Sequence, residues 1–179
     1  DVTAYNIVYK YFGVLNMVFT IFVTPFWSAS TEAYQKNDIQ WIKNGIRKYN
    51  QLNVLMIFVG IIMLISSSTV YRLWIGEGKV NIPFSLSLWG FFYFNVLIFS
   101  GKYVHFLNGI SALRIQFISS LISPLVYIGT AILLIKVYNL GVFSLFIASI
   151  ISNFNGLILA PLQYYMVINR KSKSPIWYK

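Results

Sequence analysis

Residues 11–31, with the sequence YFGVLNMVFTIFVTPFWSAST, contain no charged side chain. Their middle, from Val14 to Val23, is apolar enough to lie in lipid, and the run matches the ~20 residues that a helix needs to cross a bilayer core. Pro25 and Trp27 mark the exit of the helix, because tryptophan favours the membrane interface. The stretch therefore predicts a membrane-spanning helix over about residues 3–27.

One face of this first helix is polar or small. The residues recur every three or four positions, which places them on a single helical face: Asn6, Lys10, Gly13, Asn16 or Met17, Thr20 and Thr24. Polar groups are expensive in contact with lipid, so this face is predicted to meet other helices or a wet cavity.

A basic amphipathic segment follows the first span. Asp38 is suited to cap a helix N-terminus. Apolar side chains then recur at helical spacing, at Ile39, Ile42, Ile46 and Tyr49, while basic and polar side chains take another face, at Lys36, Gln40, Lys43 and Arg47. The pattern predicts a short helix lying on the bilayer surface with its apolar side down. An ordinary solvated basic loop is the alternative.

Composition places the whole chain in the membrane. Of its 179 residues 58% are apolar and only 10% are charged, whereas a soluble domain carries about 25% charged residues. The net charge of +10 is not a nucleic-acid signal, because the basic residues lie mostly in short loops and the tail, where they set membrane topology. With no cysteine and one histidine, thiolate and multi-histidine metal sites are excluded, and no metal or other cofactor is expected.

Charge-free runs predict five spans within one transmembrane domain over residues 1–179. The spans cover about residues 3–27, 50–71, 83–107, 114–138 and 141–168. Short connections between them favour an antiparallel bundle of sequence neighbours, and strands are not expected because lipid-exposed sheet edges are not tolerated. The predicted fold class is therefore all-α, a polytopic membrane helix bundle of about five helices.

The distribution of lysine and arginine predicts the orientation. Most basic residues lie in the loop directly after the first span, at Arg114 and in the C-terminal tail, so these parts are predicted to be cytoplasmic. The chain then starts on the outer side with an odd number of spans and no signal-peptide pattern, which we interpret as a fragment that lacks N-terminal helices.

Two further patterns concern the last spans. Pro124 and Pro161 are predicted to kink their helices. Small residues four apart, at Ser152, Gly156 and Ala160, predict a seam where another helix approaches closely.

Polar side chains also lie inside the predicted spans. Lys10 is about 10 Å into the first span at ~1.5 Å per residue, and Asn95, Lys102 and His105 share one face of the third span. A second stripe in the fourth span consists of Gln116, Ser119 or Ser120, Ser123, Tyr127 and Thr130. For each lysine the alternative is snorkelling, in which the ammonium reaches the headgroups, and for His105 it is ordinary packing.

No predicted span contains a carboxylate, since the acids Asp1, Glu32, Asp38 and Glu77 all fall in loops or at the end. Buried positive charge without buried negative charge suits an anionic cargo. We therefore expect a substrate pathway lined by Asn6, Lys10, Thr20, Asn95, Lys102 and His105. In this hypothesis Lys10 and Lys102, with His105, contact a phosphate or pyrophosphate group, and no residue is catalytic.

Several short motifs resemble those of a transporter family. They are VTAYNI at residues 2–7, KYF at 10–12, TPFWSA at 24–29, TEAY at 31–34, and Asp38 followed by WIK at 41–43. They resemble bacterial Wzx-type polysaccharide flippases, which carry O-antigen or capsule repeat units and belong to the multidrug, oligosaccharidyl-lipid and polysaccharide exporter superfamily. The resemblance implies twelve spans in two lobes around a central cavity, with the five spans here forming most of the C-terminal lobe.

The same resemblance implies a function. The chain would help to move an undecaprenyl-pyrophosphate-linked oligosaccharide unit across the bacterial inner membrane. Implied partners are this anionic lipid-linked cargo, membrane lipids, the missing N-terminal lobe, and polysaccharide polymerase or ligase machinery, with no nucleic acid. Other readings stay open at this point: another exporter of the superfamily, a membrane-embedded transferase of polysaccharide synthesis with His105 as base, or a non-catalytic scaffold subunit.

Overall fold

The computed structural model describes residues 2–77, 79–169 and 177. All regular secondary structure in these residues is helical, which confirms the all-α class. The six α-helices are α1 Val2–Gln35, α2 Ile39–Ile75, α3 Phe84–Gly109, α4 Arg114–Ile132, α5 Ser144–Ser152 and α6 Ala160–Ile168. Two π-helical turns, Leu133–Val137 and Asn155–Leu159, follow α4 and precede α6.

Four helices are long and apolar enough to cross a membrane: α1, α2, α3, and α4 together with its π-helical turn. A fifth candidate span is the pair Ser144–Ser152 and Asn155–Ile168, which is bent by 47°. The five predicted spans correspond in order to these segments. Four to five apolar spans are typical of a multi-pass membrane protein.

The core is built on one ridge of α1. Its members follow the three- and four-residue spacing of a single helical face: Ala4, Val8, Phe12, Leu15, Phe19, Val23 and Phe26. Helix α3 packs along this ridge in the same direction, because Gly90 meets Val8, Gly101 meets Phe19 and Gly109 meets Ser30. Gly90 and Gly101 make room for side chains of α1, and Gly109 lets α3 approach the α1 backbone closely.

Helices α1 and α2 form a hairpin with a very short turn. Asn37 adopts a φ of 60°, and the Asp38 carboxylate accepts a hydrogen bond from the Trp41 backbone N–H at 2.9 Å, so the predicted N-cap is confirmed. The prediction of a separate surface helix is wrong, because residues 39–49 are the first turns of the single helix α2. Ile42 and Ile46 pack in the protein core rather than into lipid headgroups.

The hairpin is longer than a bilayer is thick. Helix α1 has 34 residues and α2 has 37, which at ~1.5 Å per residue is more than 50 Å, against about 30 Å for the hydrocarbon core. The charge-free part of α2 begins at Tyr49. The turn and its basic residues Lys36, Lys43, Arg47 and Lys48 therefore lie in the part that projects from the apolar zone.

The last span is broken at Asn153 and Phe154, between Ser144–Ser152 and Asn155–Ile168. Pro161 lies inside the second of these segments, so the kink predicted at the proline does not account for the break. The predicted small-residue seam is confirmed at Gly156, where an added Cβ would lie 2.7 Å from the Ser100 Cβ of α3. Helix α4 runs through Pro124 without interruption. The neighbouring Ser123 hydroxyl donates a hydrogen bond of 2.9 Å to the Ser152 carbonyl at the break.

Ser123→Ala is expected to loosen the broken span. Interhelical hydrogen bonds in membranes contribute on average about 0.6 kcal/mol, so we expect a loss near this size, measured as a lower midpoint of SDS-induced unfolding in mixed micelles. Ser120→Ala is the matched control, since its hydroxyl only donates to Phe117 of its own helix. Equal effects of the two changes would contradict a role of Ser123 at the break.

Part of the predicted topology concerns residues that lie outside the described ones. These are Asp1 and the basic tail residues Arg170, Lys171, Lys173 and Lys179. The cytoplasmic placement of the hairpin turn, Arg114 and the tail stays a prediction.

Candidate functional site

The polar face of α1 lies on the outside of the described bundle, opposite the packed ridge. Asn6, Lys10, Thr20 and Thr24 are exposed, and Gly13 and Asn16 are half-buried. Gly13 meets Phe94 of α3, but the exposed members of the face are not covered by another described helix. The sequence predicted contact with other helices or a wet cavity, and these exposed members remain available to a partner, a wet cavity or lipid.

The side chains on this face differ in whether they have hydrogen-bond partners. The Thr20 hydroxyl donates to the Asn16 carbonyl at 2.8 Å, and the Thr24 hydroxyl donates to the Thr20 carbonyl at 2.7 Å. The side chains of Asn6 and Lys10 form no hydrogen bond or ion pair with any described residue. Asn6 and Lys10 are thus two exposed groups on this face that lack a partner within the described bundle.

Lys102 has a different environment. Its side chain is 0% exposed, and its ammonium donates to the Asn53 side-chain oxygen at 2.5 Å and to the Phe99 carbonyl at 2.8 Å. The ammonium also lies 4.2 Å from the centre of the Phe99 ring and 4.7 Å from that of Tyr103. Snorkelling is therefore wrong for Lys102, whereas it stays open for the exposed Lys10.

Asn95 and His105 share the same side of α3 and are half-buried. The Asn95 amide donates to the Phe91 carbonyl at 2.8 Å, and the His105 ring packs edge-on to Trp27 with ring centres 5.9 Å apart. The Asn95 oxygen and the His105 Nδ1 are buried without a partner among the described residues. A bound polar group or water would satisfy them, so their place in a pathway stays a prediction.

The structure does not bring Lys10 and Lys102 together. Lys10 lies at the level of Gly90 and Phe94 of α3, because Val8 contacts Gly90 and Gly13 contacts Phe94. Lys102 lies more than two helical turns further along α3 and is directed to Asn53 of α2. A single phosphate group cannot contact both lysines in this conformation.

Asn53 was missed by the reasoning from sequence. It is buried, and its amide also donates to the Ile98 carbonyl at 3.2 Å. The available signal was an amide side chain near the start of the charge-free part of α2, at a depth comparable with that of a lysine in α3. That signal identifies Asn53 as a candidate hydrogen-bond partner, but it does not show that Asn53 pairs with Lys102.

The predicted spans contain lysine side chains but no carboxylate. Within the described residues no three His, Cys, Asp or Glu side chains lie close enough to hold a metal ion. Glu32 is paired with Lys36 at 2.5 Å, and Asp38 caps α2, so both acids near the hairpin turn are already engaged.

Comparison with protein-family models, with curated proteins and with solved structures finds no match to this chain.

Proposed function

We propose that this chain is part of a bacterial inner-membrane carrier for an anionic, lipid-linked oligosaccharide, an undecaprenyl-pyrophosphate-linked unit of surface-polysaccharide synthesis. The observation that carries the proposal is the uncovered polar face of α1, on which Asn6 and Lys10 have no partner in the described bundle. A face of this kind suits the wall of a central cavity between two helical lobes.

The charge distribution supports an anionic cargo. Lys10 and Lys102 lie within the first and third predicted spans, and no aspartate or glutamate lies within any of the five predicted spans, so no internal counter-charge neutralises Lys10. A diphosphate group passing along the α1 face would supply it. The chain itself makes or breaks no bond in this scheme, and a second helical lobe would close the cavity over the exposed face.

Lys10→Ala is expected to reduce cargo transport at least tenfold. A hydrogen bond from a charged group contributes about 1.5–3 kcal/mol, and each 1.4 kcal/mol corresponds to a factor of ten. Transport would be measured in proteoliposomes as exposure of a labelled lipid-linked oligosaccharide to an impermeant glycosidase. Lys10→Arg, which keeps the charge, should retain most of the flux.

Lys136→Ala is the matched control, because Lys136 is also exposed but lies in the π-helical turn after α4. It should transport like the unmodified protein. Full flux in the Lys10→Ala variant at a normal protein level would overturn the role of Lys10 and remove the main support of the proposal.

A further inference from the structure

A groove of about 740 Å³ opens between α1 and α2 on the projecting side of the hairpin. Its apolar wall includes Phe22, Pro25, Phe26 and Leu52, and its rim carries Arg47 and Lys48. The groove is separate from the polar face of α1 and from the Lys102 environment. The proposed transport function does not use it.

Local sequence explains why the groove exists. An added Cβ on Gly45 would lie 2.8 Å from the Phe26 ring, so the glycine lets α2 pack directly against that ring. Trp41 also stacks on Phe26, with ring centres 5.9 Å apart. The Tyr49 hydroxyl donates to the Phe22 carbonyl at 2.9 Å, which holds the two helices together further along.

The groove has one sign of charge. None of its lining residues is acidic, and Arg47 and Lys48 form no hydrogen bond or ion pair with any residue in the described part of the chain. The nearby acids Glu32 and Asp38 border a neighbouring pocket and are engaged by Lys36 and by the Trp41 N–H. The two cations are therefore free for an external anion.

The position of the groove favours a lipid as its ligand. Phe22 lies within the charge-free run of α1, and Lys48 is the last charged residue before the charge-free run of α2. Since Gly45 meets Phe26 and Tyr49 meets Phe22, Phe26 lies on the turn side of Arg47 and Lys48, whereas Leu52 lies further along α2 in its charge-free run. The groove thus combines an apolar wall that continues into the charge-free runs with two cations where these runs begin, flanked by Trp41 and Tyr49, as is typical of the membrane interface.

We propose that this groove binds an anionic phospholipid, with the phosphate at Arg47 and Lys48 and an acyl chain along Phe22, Phe26 and Leu52. The occupant is a lipid rather than a free phosphate, because the apolar wall is the larger part of the groove and a small anion would leave it exposed to water. Binding here anchors the α1–α2 hairpin to the leaflet.

The test uses Trp41 as a reporter, since bromine quenches tryptophan fluorescence only at short range. The full chain is reconstituted in phosphatidylcholine vesicles with increasing brominated phosphatidylglycerol, and the signal of a Trp41→Phe variant is subtracted. Brominated phosphatidylcholine is the reference lipid. We expect quenching at a lower fraction of phosphatidylglycerol than of phosphatidylcholine.

Two variants should abolish this preference. Arg47→Gln with Lys48→Gln removes the charges, and we expect the half-quenching lipid fraction to rise about tenfold. Ala29→Phe keeps the charges but fills the groove with a ring. The control is Lys43→Gln with Arg114→Gln, which removes the same two kinds of charge outside the groove and should keep the preference.

Three results would overturn the proposal. An equal loss in the control variant would mean that general surface charge attracts the lipid. An unchanged preference in Ala29→Phe would mean that no chain enters the groove. Complete displacement of phosphatidylglycerol by millimolar inorganic phosphate would mean that the site takes a small anion.

Discussion

Asn53→Ala is expected to destabilise the protein by about 3 kcal/mol, because it removes the side-chain oxygen that accepts from the buried Lys102 ammonium. The ammonium would keep only the Phe99 carbonyl and the two aromatic rings. An unpaired buried charge costs far more than the small volume lost at the asparagine. The measurement is the midpoint of SDS-induced unfolding in mixed micelles, followed by far-ultraviolet circular dichroism.

The double variant gives the sharper test. Lys102→Met keeps a long flexible side chain and removes the charge, so alone it should cost much less than Asn53→Ala. Combined with Asn53→Ala it should restore part of the lost stability, since no charge then remains to be satisfied. If the double variant is as unstable as the sum of the two single changes, Asn53 does not hold the ammonium.

Gly109→Ala is expected to disturb the contact between α1 and α3. An added Cβ would lie 2.6 Å from the Trp27 carbonyl oxygen and 2.6 Å from the Ser30 hydroxyl. The carbonyl belongs to the backbone of α1 and cannot rotate away, so the two helices must separate there. The Thr31 hydroxyl also donates to the Gly109 carbonyl at 2.6 Å, and separation would lengthen that bond.

The expected cost is about 1–3 kcal/mol, as for other overpacked positions, measured as the same unfolding midpoint. Gly129→Ala is the matched control, because an added Cβ there meets nothing within 4 Å. It should be neutral or slightly stabilising, since alanine favours a helix over glycine by about 1 kcal/mol. Similar losses of stability in the Gly109→Ala and Gly129→Ala variants would show that the close contact at Gly109 does not determine the effect.

The all-α class and the order of the spans follow from the sequence for a physical reason. In lipid a backbone must satisfy its own hydrogen bonds, so a long charge-free run has almost no alternative to a helix. The Asp38 cap is equally local, since it depends on a few neighbouring residues. These features were predictable without knowing what any helix touches.

The candidate site was less predictable. The spacing of Ile39, Ile42 and Ile46 is the same for a helix on a bilayer surface and for one packed on another helix. Tertiary structure decides between them, since the tight turn at Asn37 folds α2 back onto α1. Likewise a polar stripe in α1 shows which residues share a face, but not whether another helix of the chain covers it.

The sequence by itself determined the apolar runs, their order and the absence of acids within them, because hydrophobic length and charge act locally along the chain. Only the tertiary structure decided that Lys102 pairs with Asn53, 49 residues away, that Lys10 faces outward, and that Arg47 and Lys48 border a groove. Contacts between distant helices depend on how whole surfaces pack, and the spacing within one helix carries no record of its neighbour.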